Sequence, residues 1–226
     1  MNKKIYQVAA ITALIFLSSC LSSLQRLVTY TTVTTDNRII GNWQYEDLPI
    51  KIESIPGSHF YKEVLASVST PGEKKSVYDS KEDSMLYTKS YVVDFSKGGY
   101  RYYMACSLIR LGNEIFADIE PIEVIPLNNP TAKDVDDLFH GGSYISSHSI
   151  AKVVFRENET AFRFLNSDFI RDQLKNGRVA IKYEKDDLFQ TSLVTSSSRD
   201  LQQFLIKYGN DERLYSKENT VTLKKI

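Results

Sequence analysis

Between Tyr91 and Ile119 the chain alternates apolar with polar or small residues at the two-residue period of a strand, and the alternation predicts a meander. Tyr91, Val93 and Phe95 lead into Ser96-Lys97-Gly98-Gly99, where the glycines suit a tight turn. A loop of either Lys97-Gly98 or Gly98-Gly99 shifts the register by two, so every side chain keeps its face. Tyr102, Met104, Cys106 and Leu108 follow, and then Gly112-Asn113, a second hairpin dipeptide. This turn sets Leu108 opposite Ala117 and Cys106 opposite Ile119. One face therefore carries Tyr91, Val93, Tyr102, Met104, Cys106, Leu108, Ile115, Ala117 and Ile119, and it is a core face. Asp118 and Glu120 project from the other face, opposite Ser107 and Ala105. They read as part of a solvated sheet surface.

The β-branched residues of 27–35 predict a strand, as do Arg38 to Tyr45 and the alternating Ile50-Lys51-Ile52-Glu53. Residues 149–165 predict a hairpin that turns at 156–159. The stretch 123–143 is irregular. In it Asn129-Pro130 suits a helix start, and Val135, Leu138 and Phe139 fall at helical spacing, predicting a short helix. Two better punctuated helices are expected near 167–176 and 197–208. Ser167 opens the first, Ile170 and Leu174 lie four apart, and Gly177 follows its end. Ser197-x-x-Asp200 forms a capping box for the second. Its stripe is Leu201, Phe204, Leu205 and Tyr208, and Gly209 ends it. Short strands are expected at 179–183 and 220–223. The fold class that follows is α+β and β-rich: an antiparallel meander or partly closed barrel with two C-terminal helices packed on it. Residues 27–226 form a single domain.

The N-terminus follows a different pattern. Lys3 and Lys4 precede an apolar run from Ile5 to Leu17, and small residues then lead to a cysteine, the layout of a secretory signal peptide. The run is too short for a membrane-spanning helix, which needs about 20 residues. Leu17-Ser18-Ser19-Cys20 resembles the lipobox of bacterial lipoprotein precursors. The resemblance implies a signal peptide over 1–19, cleavage between Ser19 and Cys20, and acylation of the Cys20 thiol. A lipidated tether over 20–26 would then carry the domain. Leu21 is not the Asp that marks inner-membrane retention, so the resemblance places the protein in the cell envelope, on the periplasmic face of the outer membrane.

Charge narrows the partners. The chain has 28 basic and 28 acidic side chains, and loss of Lys3 and Lys4 with the signal leaves the mature part nearly neutral. A nucleic-acid binder would show a basic face, and no polybasic patch offers a second hold on a membrane. With Cys20 acylated, Cys106 has no partner for a disulfide, so stability rests on core packing. On the core face its thiol is buried and inert.

Gly41-Asn42-Trp43 resembles the Gly-x-Trp that opens the first strand of lipocalins and lipocalin-like bacterial domains. What this implies is a barrel closed at the bottom by Trp43 under a stacked basic residue, often around a small apolar ligand. Trp43, Tyr91, Tyr102 and Met104 are the candidate ligand-binding residues. Two C-terminal helices are one more than that fold usually has. Asp134, Asp136 and Asp137 lack the glycine and closing Glu of a calcium loop, and His59, His140 and His148 match no zinc spacing. Neither a P-loop nor a Gly-x-Ser-x-Gly elbow occurs. No catalytic residue, metal or cofactor is therefore assigned.

The expected function is a lipid-anchored envelope lipoprotein with a non-catalytic accessory or binding role, meeting the membrane through its anchor and an envelope protein as partner. A lipocalin-like carrier of a small apolar ligand is the alternative. A hydrolytic enzyme is the second, and it would need Asp118 to converge with Arg101 or a histidine. Replacing Cys20 by Ser is expected to leave the chain uncleaved or soluble, because acyl chains supply nearly all the membrane affinity. Membrane fractionation with palmitate labelling measures this, and an unchanged membrane fraction refutes it.

Overall fold

The computed structural model describes residues 22–61, 80–127, 147–177, 179, 181–186 and 191–226. The signal segment, Cys20, the helix expected after Asn129, the acidic trio at 134–137 and His140 lie outside the described residues.

Among the described residues, twelve strands belong to one sheet. They are β1 (Ser22–Ser23), β2 (Val33–Thr34), β3 (Gly41–Tyr45), β4 (Leu48–Ser54), β5 (Tyr91–Lys97) and β6 (Tyr100–Leu111), then β7 (Glu114–Pro126), β8 (His148–Phe155), β9 (Glu159–Leu165), β10 (Tyr183–Asp186), β11 (Thr191–Val194) and β12 (Tyr215–Lys225). Eight close on themselves in the order β8-β7-β6-β5-β4-β3-β12-β9, and pairing of β9 with β8 seals the ring. All neighbours in the ring are antiparallel. Closure removes the exposed strand edges that an open sheet of this length would present.

The meander has the register its turns dictate. Lys97 pairs with Tyr100, so the loop is Gly98-Gly99, with φ of 63° and 88°. Both signs are positive, as a type I′ turn requires. Cys106 faces Ile119, Ser107 faces Asp118 and Leu108 faces Ala117. The register shifts once, between Tyr103 and Met104, where β7 carries an extra residue.

Each of the eight barrel strands sends apolar side chains into a common interior. Among the fully buried ones are Trp43, Ile52, Tyr91, Cys106, Leu108, Ala117, Val153, Phe162 and Leu223. The predicted core face is thus the barrel lining. The outer face of β6–β8 is buried as well, which alternation alone did not predict. Ile109, Phe116 and Ile150 point outward into a second core with Leu27, Val28, Ile170, Leu201, Phe204 and Leu205. A smaller third cluster sets Ile55 and Phe60 against Val92, Tyr103 and Ala105.

Among the described residues, α-helices are bounded at α1 (Lys81–Tyr87), α2 (Ser167–Lys175) and α3 (Ser198–Tyr208). In α2, Asn166 caps the backbone N–H groups of Asp168 and Phe169. In α3, the Ser197 hydroxyl accepts from Asp200 N–H and donates to the Asp200 carboxylate at 2.8 Å, a capping pair that satisfies orphan groups of the first turn. The buried stripe of α3 is Leu201, Phe204 and Leu205. At its end a Cβ on Gly209 would come within 2.8 Å of Phe116 Cζ, so only glycine allows this close approach.

Several expectations are corrected. Of 27–35 only Val33–Thr34 is strand, because Thr29, Thr31 and Thr32 spend their hydroxyls on one another at 2.9–3.0 Å and hold a turn. The strand placed at 179–183 begins at Tyr183 instead, and pairs with β11, which the pattern did not indicate. Ser22 and Ser23, in the expected tether, pair with β8 on one side and β11 on the other.

Cys106 is fully buried, and burial pushes its thiol up, with Asp118 adding to the shift. Its neutral form packs as a small apolar group. Cys106→Ala should cost on the order of 1–2 kcal/mol, read by urea denaturation. Rapid alkylation of the native thiol would contradict its burial.

Candidate functional site

The barrel interior has two unlike ends. At one, the 3₁₀ turn Asn37–Ile39 delivers the chain into β3, and Trp43 fills the space behind it at 2% exposure. Its indole N–H donates to the Ile39 carbonyl at 2.9 Å, so the polar atom of a buried ring is satisfied. The Lys225 ammonium stands 5.7 Å from the Trp43 ring centroid, and the Arg38 guanidinium 4.4 Å from that of Phe155. Both lie within the roughly 6 Å range of cation–π attraction. Tyr91 belongs to the same filled half. Its hydroxyl accepts the Asp36 N–H at 2.7 Å, and burial pushes it up from the usual tyrosine value.

At the other end the lining side chains are only half-buried. Val93, Phe95 and Met104 pack on the edge of the interior cluster. Tyr102 stacks on Phe95 with ring centroids 5.1 Å apart and planes 11° off parallel. The four candidate ligand-binding residues therefore separate into pairs. Trp43 and Tyr91 build the closed half; Tyr102 and Met104 line the accessible half.

A second constellation lies on the outside of the same wall. Asp118 and Glu120, expected on a solvated face, are only 4% and 7% exposed. The reason is the N-terminal segment, which crosses over them. Leu27 and Val28 donate their backbone N–H groups to Asp118 Oδ2 at 2.6 and 3.1 Å. His148 Nδ1 sits 2.8 Å from Asp118 Oδ1, and its Nε2 lies 3.6 Å from Glu120. The Tyr87 hydroxyl donates to Glu120, and Arg26 bridges Tyr87, Glu120 and Asp83. Burial works against the Arg26 charge, but Glu120, Tyr87 and Asp83 outweigh it and hold the guanidinium above its ordinary value. Burial likewise disfavours the Asp83 carboxylate, yet its bonds from Arg26 and Ser80 leave it below the usual range. Burial and then Glu120 push the Tyr87 phenol up.

Asp118 thus meets a histidine, whereas Arg101 does not join it and forks onto Asp94 at 2.6–2.9 Å. An Asp–His pair invites comparison with a catalytic dyad. Here each Asp118 oxygen is already bound within the chain, and the ring nitrogens of His148 face two carboxylates. The arrangement is a clamp on the backbone at 27–28. Ser149-Ile150-Ala151-Lys152 has the spacing of a Ser-x-x-Lys motif, but on a strand residues three apart lie on opposite faces. Lys152 instead reaches Glu114 at 3.2 Å on the outer side. His59 is exposed, and no cluster suited to a metal ion occurs among the described residues.

Comparison with protein families, with curated proteins and with solved structures finds no match to this chain.

Removing one partner from a buried ionic group leaves the others uncompensated. Asp118→Ala strands two backbone N–H groups and His148, and should cost roughly 3–5 kcal/mol. Chemical denaturation monitored by tryptophan fluorescence reads this, since Trp43 reports on the barrel. A loss below about 1 kcal/mol, the net worth of an ordinary hydrogen bond, would show that the clamp carries little.

Proposed function

We propose that this chain is a lipid-anchored protein of the bacterial cell envelope with a binding role and no catalytic one, and that its barrel carries a small apolar ligand. One observation carries the reading: the interior is apolar on every strand, sealed at the Trp43 end and lined by half-buried side chains at the other. An eight-stranded barrel is just wide enough to be filled by its own side chains or to hold one small ligand. The half around Trp43, Ile39 and Leu108, all 0–2% exposed, is filled by its own side chains, so a ligand would take the opposite half.

In that half Val93, Phe95, Tyr102 and Met104 supply contact. Met104 adapts its shape because its thioether chain is flexible and polarizable. The stacked Phe95–Tyr102 pair offers a flat apolar wall with one hydroxyl, and burial pushes that phenol up, so it stays a neutral hydrogen-bond donor. Trp43 and Lys225 support the lipocalin-like reading through the geometry of their contact. They close the floor without touching a ligand. The anchor on Cys20 would keep such a carrier at a bilayer, the natural source or destination of an apolar cargo.

Lipidated protein purified in mild detergent from its own envelope should release an apolar small molecule on solvent extraction, detected by mass spectrometry. Met104→Trp, which fills the accessible half, should abolish that release while leaving the melting temperature nearly unchanged. Protein that yields no such molecule, and takes up no apolar fluorophore when offered one, would refute the proposal.

A further inference from the structure

The anchor and the domain are joined by almost no free chain. β1 begins at Ser22, two residues after Cys20, and is held on both sides, parallel to Leu193–Val194 and antiparallel to His148–Ser149. Ser23 is fully buried. Beyond it Leu24 N–H donates to Val194 O at 2.9 Å, Arg26 enters the ionic cluster, and Gln202 Nε2 donates to Leu27 O at 2.8 Å. Slack can be gained only by breaking that set of bonds. Two residues span at most about 7 Å, whereas a domain of about 200 residues has a radius of gyration near 17 Å. The domain cannot turn its far side to a bilayer on such a leash.

We propose, resting on acylation of Cys20, that the side of the molecule on which β1 enters, with Gln25 and the start of α3 at its surface, lies against the membrane and that this short leash fixes it there. The chemistry of that side suits lipid headgroups. Beside β1 opens a polar cleft of about 640 Å³ lined by Gln25, Thr29, Thr195, Lys182, Arg199 and Asp200. Asp200 is engaged by the Ser197 hydroxyl at 2.8 Å. Lys182 and Arg199, both exposed, are the cations that face a layer of lipid phosphates. β4 occupies the opposite side of the ring, four strands from β8 in either direction, and its exposed Lys51 points to bulk water.

Full-length lipidated protein bearing a fluorophore at Gln25→Cys or at Lys51→Cys tests this in vesicles of phosphatidylcholine and phosphatidylglycerol containing a headgroup-nitroxide lipid. Vesicle flotation is read on the same samples. The Gln25 probe should be quenched several-fold more than the Lys51 probe. Equal quenching on vesicles that float the protein would overturn the proposed orientation. A chain that does not float would overturn the anchor itself, a separate failure. Inserting about ten Gly/Ser residues between Leu21 and Ser22, a coil of roughly 17 Å, should bring the two probes together. A difference that survives the insertion would overturn the leash as its cause.

Discussion

The carboxylate of Asp118 holds the backbone of Leu27 and Val28 against the outside of the barrel, and much of the structure depends on that contact. An antiparallel sheet ordinarily buries one face and leaves the other to water. Here the wall β6–β8 is covered on both, since the N-terminal segment and α3 lie over Ile109, Phe116 and Ile150. A bare backbone segment cannot cover a sheet unless its N–H groups find acceptors. Asp118 provides one for two of them, His148 occupies its other oxygen, and Glu120 and Tyr87 fix the arginine that follows the strand. Burying so many charged groups is expensive, and only a fully connected network tolerates it.

The barrel lining was legible residue by residue because period two leaves no freedom once two hairpin turns are placed. Gly98-Gly99 and Gly112-Asn113 set the register, and the register set the face. The outer wall was not legible in the same way. A carboxylate pointing away from the core looks identical in sequence whether water or an arginine meets it, and Arg26, Tyr87 and His148 lie 94, 33 and 30 residues from the acids they contact. A weaker signal was present. Ile115-Phe116-Ala117 and Leu108-Ile109 have no polar residue on the outward side, and a run without alternation marks a strand buried on both faces.

The same distinction between local and distant partners holds elsewhere along the chain. Threonines at 29, 31 and 32 are β-branched and favour strands by propensity. Each also carries a hydroxyl that competes for local partners, and three placed so closely satisfy one another in a turn. Helices α2 and α3 were foreseen to within a residue because their caps are local chemistry: Asn166 and Ser197 act on N–H groups two or three positions away. Of the candidate lining residues, Tyr91, Tyr102 and Met104 share a face, as the meander register requires. Their division between a closed and an accessible half depends on Lys225, Arg38 and the turn at 37–39, which no spacing within the meander indicates.

The N-terminal segment therefore has two duties that cannot be separated. It is the lid over the outer wall of the barrel, and on the proposed acylation of Cys20 it is also the chain that leads to the anchor. Freeing it to act as a long tether would uncover Phe116 and Ile150 and leave Asp118 and Glu120 buried beside a vacated groove. Under the proposed anchoring, selection for a stable barrel would also select a short connection to the bilayer, with no separate requirement on the linker. Were the chain anchored as proposed, the accessible end of the barrel would inherit a fixed relation to the membrane from the same bonds. An apolar cargo passing between barrel and bilayer would meet a mouth held at constant distance, where a floppy tether would present it at random.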